Sequence, residues 1–184
     1  MALIYDTNRL MLILPDKIYT DALLDYHIRN RDFLEVWEPQ RPDNFYTKKY
    51  QRASIKSEIK EAKKLTGLCF LIAKSNEPER LIGAIRLSNI IYGNFCSAFL
   101  GYRLDKDEIN NGYMTEAVKK VIDISFNELY LHRLEASVIP SNIPSKTVLQ
   151  KSGFKYVGTS SSYLQINGKW QPHELYEYIN PKIK

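Results

Sequence analysis

The sequence predicts an α+β domain in which a mixed, mostly antiparallel central sheet contains one splayed parallel strand pair and carries helices on both faces. Three apolar runs separated by short polar turns, at residues 68–73, 81–91 and 95–104, predict an antiparallel meander. An apolar pattern with helical spacing follows and leads into a further strand at residues 132–139. A crossover helix joins parallel strands, so we expect the third and fourth of these strands to lie side by side.

The remaining elements follow from local signals. Residues 9–14 form a short apolar run closed by Pro15, which predicts a first strand, and Asp16 or Asp21 is expected to cap a helix that ends near Arg29. Further predicted elements are a helix from Thr47 to about Leu65 that Gly67 ends, a helix from about Tyr113 to Tyr130, a short helix over residues 145–152 stopped by Gly153, and a closing hairpin that turns at Asn167 and Gly168.

Length and composition indicate a single domain spanning residues 1–184. No apolar run approaches the roughly 20 residues that span a membrane, and the amino terminus lacks the pattern of a signal peptide, so we expect a cytoplasmic protein without a membrane partner. Cys69 and Cys96 are isolated in apolar runs, which indicates buried thiols and no bound metal.

The net charge of +5 is concentrated in one segment. Between Lys48 and Lys64 there are seven basic residues and two acidic ones, which accounts for the whole excess of the chain. Two interpretations stay open: this helix has a solvated face with Glu/Lys pairs, or its basic face attracts an acidic partner or an RNA-rich particle.

The stretch from Gly101 to Ala117 is the candidate ligand site. It runs from a strand end through a polar turn, Asn110-Asn111-Gly112, into the start of a helix. Free backbone N–H groups and the positive end of the helix dipole can hold an anion at such a place. An ordinary connection between a strand and a helix is the alternative. A wedge between splayed parallel strands, pointing at this turn, would be a natural ligand site.

Several segments together resemble the GNAT superfamily of N-acetyltransferases, and within it the RimJ-like branch that acetylates the N-terminal alanine of a ribosomal protein. The matching segments are Ile109-Asn-Asn-Gly-Tyr-Met-Thr-Glu-Ala117, Arg29-Asn-Arg, Trp37-Glu-Pro-Gln-Arg-Pro42, Leu100-Gly-Tyr, Leu131-His-Arg-Leu-Glu-Ala136 and Gly153-Phe154. The resemblance covers nearly the whole chain and implies the GNAT fold.

The resemblance implies acetyl-CoA as the co-substrate and no metal. Backbone groups near Leu104 would pair with the pantetheine arm. The pyrophosphate would lie on the turn formed by Ile109, Asn110, Asn111, Gly112, Tyr113, Met114 and Thr115. Of the superfamily motif Arg/Gln-x-x-Gly-x-Gly/Ala, the chain keeps the central Gly112, and Ile109 stands where a side-chain donor is usual. Because backbone N–H groups remain, we expect acetyl-CoA binding to survive this change.

The resemblance also implies roles in catalysis and acceptor binding. Asn142 would bond the pantetheine, and the Ser145 hydroxyl would meet the thiolate, because the tyrosine of many relatives is replaced by Leu149. Glu135 is the candidate base, with an ion-paired structural role as the alternative. The residues expected to line the acceptor pocket, each with core packing as the alternative, are Trp37, Glu38, Phe45, Tyr102 and Tyr163. His173 is expected to make a structural hydrogen bond.

Three functions remain open at this stage. The first is a protein N-terminal acetyltransferase of the ribosomal-protein alanine type. The second is a transferase for a small amine such as a polyamine or antibiotic, and the third is a catalytically silent acetyl-CoA-binding module. The expected partners are therefore acetyl-CoA and either a protein N-terminus, including that of a ribosomal protein, or a small amine, without a specific nucleic acid; a homodimer is left open.

Overall fold

The computed structural model describes residues 3–183. The strands are β1 (Ile4–Asp6), β2 (Leu10–Ile13), β3 (Gly67–Lys74), β4 (Glu77–Ile91), β5 (Ser97–Leu104), β6 (Arg133–Val138), β7 (Lys155–Ile166) and β8 (Lys169–Ile179). The helices are α1 (Thr20–Arg29), α2 (Arg31–Glu35), α3 (Lys48–Lys64), α4 (Tyr113–Asn127) and α5 (Ile143–Lys151), with two short 3-10 turns at Lys17–Tyr19 and Lys106–Glu108.

The eight strands form one sheet in the order β1-β2-β3-β4-β5-β6-β8-β7. Every neighbouring pair is antiparallel except β5 and β6, so the predicted parallel pair is confirmed. These two strands pair at three positions only, from Ser97 opposite Arg133 to Phe99 opposite Glu135. Beyond Phe99 they separate and leave an open wedge in the sheet.

Helices cover both faces of the sheet, as predicted. The apolar side of α4 packs with α5 on one face, where Ala117, Val118, Val121 and Leu149 are fully buried against β2, β4, β5 and β6. On the other face, α1 and α3 cover β3 and β4 through Leu23, Tyr26 and Ile55. Burial of these apolar side chains is the main stabilising contribution to the fold. None of the helices among residues 3–183 is long and apolar enough to cross a bilayer.

Local signals located several element ends correctly. The Thr47 hydroxyl accepts the N–H of Tyr50 and begins α3, as predicted. The hairpin turn at Asn167 and Gly168 is confirmed, with φ of 45° and 76°. Asp16, however, caps the 3-10 turn before α1, accepting the N–H of Ile18.

Other boundaries were wrong or missed. Leu65, with φ of 52°, ends α3, and Gly67 instead begins β3. A Cβ at Gly67 would lie 2.6 Å from Glu61 Oε2, the end of a flexible side chain, so packing alone does not require this glycine. Strand β1 was not anticipated because three residues at a sheet edge carry too short a pattern. Similarly, β4 begins four residues before the predicted Leu81, because its first residues are exposed and polar.

Candidate active site

The wedge between β5 and β6 has a free backbone edge on each side. Residues 100–104 of β5 pair with β4 on one side, where Leu104 lies opposite Gly83, and make no ladder with β6 on the other. Backbone N–H and C=O groups that face the wedge therefore lack strand partners. Such groups can pair with an extended polar chain that lies between the strands.

The wedge opens toward a turn at residues 105–112, called here the donor turn. Asn110 and Gly112 both have left-handed backbone, with φ of 64° and 77°. Asn tolerates this conformation better than most residues, and Gly has no side chain to resist it. No side chain caps the first turn of α4, and the Ile109 side chain offers no donor. The N–H groups of Tyr113 and the residues after it are thus available to an anion.

The N-terminal segment holds one side of the donor turn. The guanidinium of Arg9 donates from Nε to Glu116 at 2.7 Å and from Nη1 to the Asn111 carbonyl at 3.0 Å, and it lies 4.6 Å from the centre of the Tyr113 ring. The Thr7 hydroxyl donates to Glu116 at 2.6 Å. Partial burial raises the pKa of Glu116, but the bonds from Thr7 and Arg9 outweigh it and hold that pKa below its usual value.

Helix α1 and strands β3 and β4 hold the other side. The side chain of Asp105 is fully buried and binds Arg29 at 2.7 Å and Arg80 at 3.2 Å. Burial alone would raise the pKa of Asp105, but the Asp107 backbone N–H and Arg29 lower it overall. Glu108 binds Arg80 at 2.7 Å and Lys74 at 2.9 Å. The donor turn is therefore fixed by ion pairs to three other elements, α1, β3 and β4.

Asn142 and Ser145 lie at the start of α5, on the far arm of the wedge. The Asn142 side chain accepts the N–H of Ser145 at 3.1 Å and so caps the helix. Tyr102 reaches them from β5: its phenol donates to the Ser145 carbonyl at 2.9 Å and lies 3.0 Å from Ser145 Oγ. Burial raises the pKa of Tyr102, so its phenol stays protonated. Leu149, by contrast, is fully buried in the core.

Glu135 lies on the opposite face of β6 from the buried Leu134 and Ala136. Its carboxylate is 3.7 Å from Arg133 Nη1, and a quarter of the side chain, 26%, is exposed. It is the last residue of β6 that pairs with β5, so it marks the vertex of the wedge. The structure thus places a partly solvated carboxylate at the vertex and a buried phenol and hydroxyl on the other face.

A cleft of about 290 Å³ lies between the end of α2, the end of β6 and the β7–β8 hairpin, and it is called here the acceptor cleft. Its lining residues are Val36, Trp37, Ile139, Ser141, Ile166, Asn167, Lys169 and Gln171. The Glu38 carbonyl accepts the N–H of Asn167 at 3.2 Å, which joins the loop after α2 to the hairpin tip. The Glu38 carboxylate binds Arg41 and lies 3.9 Å from Arg103.

The other residues expected in an acceptor pocket lie elsewhere. Phe45 is 5% exposed, and its ring packs 4.8 Å from the ring of His27. Burial and the positive charges of Arg103 and Arg41 lower the pKa of His27 to about 2, so this imidazole is neutral. Tyr163 lies 5.6 Å from the ring of His173, which contacts the Gln171 carbonyl at 3.1 Å. Trp37 alone of the five lines the cleft, with Glu38 beside it.

Sequence reasoning missed the residues that support the site. Arg9, Arg29 and Asp105 were not singled out, and Tyr102 was expected in the acceptor pocket, not beside Ser145. The partners of these contacts lie between 43 and 107 residues apart in the chain. Glu116, in the matching Thr-Glu-Ala segment, could have indicated such a contact. A half-buried acid in the first turn of a helix needs a cationic or hydrogen-bonding partner from elsewhere in the chain.

Comparison with known proteins gives a consistent result. Residues 9–155 match the model of the acetyltransferase (GNAT) domain. The chain is 41% identical over 152 residues to a protein of Bacillus subtilis named "probable N-acetyltransferase YjcK", and the match covers 83% of each. The structure superposes on the ribosomal-protein-S5-alanine acetyltransferase of Vibrio fischeri with a TM-score of 0.93, at 31% identity over 99% of both chains. Mycobacterium smegmatis RimJ in complex with CoA-disulfide gives a TM-score of 0.89 at 26% identity, covering 95% of this chain and 83% of that one.

Proposed function

We propose that this chain, which belongs to the acetyltransferase (GNAT) domain family, transfers the acetyl group of acetyl-CoA directly to the N-terminal α-amine of a protein. The observation that carries the proposal is the wedge between β5 and β6, which is closed at Phe99 and Glu135. The uncapped start of α4 follows its β5 arm, and the cleft that includes Ile139 follows its β6 arm. The similarity to an alanine acetyltransferase of ribosomal protein S5 supports a protein N-terminus as the acceptor.

The residues fit acetyl-CoA without a cationic side chain at position 109. The free β5 edge ending at Leu104 suits the pantetheine arm, whose amides need partners in the wedge. Two sets of backbone N–H groups can bind the pyrophosphate. The first belongs to the turn residues that follow Ile109, which are Asn110, Asn111 and Gly112. The second belongs to the first turn of α4, up to Thr115. Asn142 already uses its carboxamide oxygen to cap α5, so its NH2 group remains to bond the arm.

The reaction forms a C–N bond and breaks the C–S bond of the thioester. The amine nitrogen attacks the acetyl carbonyl carbon, the nitrogen loses one proton, and the coenzyme A thiolate gains one. An α-amine has a pKa of about 7.7–8.0, so roughly a tenth of it is neutral at pH 7 and a weak base suffices. We assign the base role to Glu135, directly or through water. The Ser145 hydroxyl donates a hydrogen bond to the departing thiolate, which takes its proton from water.

Tyr102 prepares Ser145 for this role. The phenol has one proton, and both the Ser145 carbonyl at 2.9 Å and Ser145 Oγ at 3.0 Å lie within its reach. When Oγ accepts this proton, the single proton of the Ser145 hydroxyl is left to point at the sulfur. The Tyr102 contact thereby fixes the direction of Oγ before the sulfur arrives. A protonated phenol with a raised pKa is a poor acid for a thiolate, so Tyr102 is a positioning residue.

The acceptor cleft suits an extended peptide better than a compact amine. It is bordered by the end of α2 and by the hairpin tip. Trp37 provides an apolar wall, whereas the Glu38 carboxylate beside it is bound to Arg41 and lies 3.9 Å from Arg103, so it brings no unpaired negative charge for a polycation. A free amine such as a polyamine would use little of this surface.

A panel of acceptors tests the proposal. The purified chain is incubated with acetyl-CoA and an Ala-leading peptide, the same peptide with a blocked N-terminus, a lysine-containing blocked peptide, and spermidine, and thiol release is measured. We expect release with the free Ala-leading peptide only. Release with spermidine alone would replace the proposal by a small-amine transferase, and acetyl-CoA binding by calorimetry without turnover on any acceptor would replace it by a silent binding module.

A further inference from the structure

Helix α3 separates its charges between two faces. Its two acids, Glu58 and Glu61, point toward the sheet, where Arg86 of β4 binds both carboxylates. Burial raises the pKa of Glu58 against the opposing effect of Arg86, in keeping with an inward position. The acids of the helix are therefore used internally and do not neutralise its outer face.

The outer face of α3 carries a continuous row of cations, called here the cationic stripe. Its six members recur every three or four residues and are all exposed: Lys49, Arg52, Lys56, Lys60, Lys63 and Lys64. At 1.5 Å per residue the stripe is about 22 Å long, and neighbouring charges are about 5–6 Å apart. Among residues 3–183, no carboxylate lies within 4.0 Å of any of the six. The Glu/Lys pairs expected of a solvated face are thus missing.

We infer that the cationic stripe docks on the phosphate backbone of folded RNA. A row of unneutralised, flexible point charges on a rigid helix matches a row of phosphates, and release of condensed counterions supplies the binding free energy. The residues exposed between the cations include Ala53 and Ser57, which cannot stack on bases or read them. The contact is therefore to the backbone and independent of sequence, which agrees with the expectation of no specific nucleic acid.

Two other polyanionic partners fit the stripe less well. A membrane-surface helix inserts its apolar face among lipids, but the apolar face of α3 is used in the core, where Ile55 is 1% exposed. Leu65, beside the end of the helix, is the nearest large exposed apolar residue. An acidic protein partner would need an apolar centre to its interface, and the stripe has none.

A loop connects the stripe to the acceptor cleft. Helix α3 begins at the end of the loop over residues 36–47, which carries Trp37 and Glu38, and the Gln51 side chain donates to the Phe45 carbonyl at 2.8 Å, which fixes the helix start against that loop. RNA docked along α3 would lie at one end of this loop and the cleft at the other, so a protein bound to that RNA could present its N-terminus to the cleft. This link rests on the proposed function; RNA binding by itself does not.

The test compares two triple variants with the same change in net charge. The first, Lys56→Gln with Lys60→Gln and Lys63→Gln, neutralises the stripe. The matched control, Lys119→Gln with Lys151→Gln and Lys155→Gln, neutralises three exposed lysines outside α3, on α4, on α5 and at the start of β7. Fluorescence anisotropy measures the affinity of the full chain for a labelled RNA hairpin between about 50 and about 200 mM salt.

We expect the stripe variant to bind the RNA about tenfold more weakly at about 50 mM salt. Its affinity should also depend less on salt: the negative slope of log K against log salt should decrease in magnitude by about two to three. The control variant should stay within about twofold of the unmodified chain. Peptide acetylation should be unchanged in both variants, which shows that the fold and the active site are intact. If the unmodified chain, the stripe variant and the control variant all fail to acetylate the peptide, the proposed function is contradicted. The RNA measurement can still be interpreted in that case.

Three outcomes would overturn the inference. The first is equal weakening of RNA binding in the stripe and control variants, because net charge alone would then explain it. The second is competition by poly-glutamate as effective as that by unlabelled RNA at equal charge, which would indicate an acidic protein surface. The third is stripe-dependent binding to phosphatidylglycerol vesicles in the absence of measurable RNA binding, which would indicate a membrane.

Discussion

The donor turn and the acceptor cleft are built in different ways. Contacts from four separate segments hold the donor turn: the turn between β1 and β2 through Arg9, helix α1 through Arg29, strand β3 through Lys74 and strand β4 through Arg80. The acceptor end is joined by separate pairs, chiefly Tyr102 to Ser145, Lys146 to Glu174, and the Glu38 carbonyl to Asn167. The same small domain therefore has one rigid end, held by a connected network of ion pairs, and one end held by separate pairs.

This difference matches what each end has to bind. The donor is one compound with a fixed pyrophosphate, so a preorganised turn lowers the entropic cost of binding it. Under the proposed function the acceptor is a chain terminus, and a cleft bordered by separate contacts can adjust to different termini. Removing a support at the rigid end should therefore cost stability or donor affinity, whereas changes at the other end should cost turnover.

The largest expected effect is at the rigid end, in Asp105→Asn. Loss of this fully buried charge leaves Arg29 and Arg80 without their shared partner, so we expect the free energy of unfolding in urea to fall by about 3 kcal/mol. Asp107→Asn, an exposed acid on the same turn, should change it by less than about 0.5 kcal/mol.

The pH dependence of that difference tests its electrostatic origin. Because the pKa of Asp105 is lower in the folded state, its contribution is fully present above the unfolded value of about 3.9 and is lost as the pH falls through the folded value. The gap in stability between the unmodified chain and Asp105→Asn should thus narrow in acid. A gap that stays constant below pH 3.9 would show that packing, not charge, is responsible.

The next largest effect is expected at the chemical end, in Ser145→Ala. Removal of the hydroxyl that hydrogen-bonds the departing thiolate should lower kcat about 100-fold, with KM for acetyl-CoA within about twofold. Thr147→Ala removes a hydroxyl from the same helix that contacts only the Ile143 carbonyl, and it should leave kcat unchanged. A retained kcat in Ser145→Ala would mean that the thiolate leaves without assistance.

A smaller effect is expected for Tyr102→Phe, which keeps the ring and removes the phenol. Because the phenol acts by orienting Ser145, kcat should fall about tenfold, and the same change in a Ser145→Ala background should cost nothing further. Tyr156→Phe, on the exposed part of β7, serves as the control. Independent, additive losses in the double variant would show that Tyr102 does not act through Ser145.

The smallest effect is expected for Arg9→Gln, which loosens one side of the donor turn. Loss of the bond to the Asn111 carbonyl and of the pair with Glu116 should raise KM for acetyl-CoA about fivefold without changing kcat. Acetyl-pantetheine, which lacks the pyrophosphate, is the control substrate and should show no change in KM. An equal rise for both substrates would place the effect outside the donor turn.

Much of the fold was predictable because its signals are local. The period of α4, the Thr47 cap, the Asn167-Gly168 turn and the crossover between β5 and β6 each depend on a few consecutive residues. The ends of elements were less predictable, because exposed polar residues continue β4 and because Leu65, in the left-handed conformation, ends α3 before Gly67 is reached. The location of the donor turn followed from the same local logic.

The supports of the site could not be predicted in this way. Arg9 and Glu116 are 107 residues apart, Arg29 and Asp105 are 76 apart, and Tyr102 and Ser145 are 43 apart. The strand order and the register between β4 and β5 decide which charged residues come into contact. Neither can be predicted from a pattern of a few consecutive residues. The sequence was equally compatible with two sets of partners for Glu58 and Glu61. They could pair with exposed lysines of their own helix or with Arg86 on the sheet.

The sequence by itself therefore determined the order of elements, the parallel pair and the turn at Gly112, because periodicity, capping and backbone preference act over a few residues. Tertiary structure alone decided that Arg9 and Asp105 hold the donor turn, that Tyr102 faces Ser145, and that α3 turns its acids inward. The physical reason is that these contacts arise only when strands distant in the chain become neighbours, so that burial forces each polar group to find a partner.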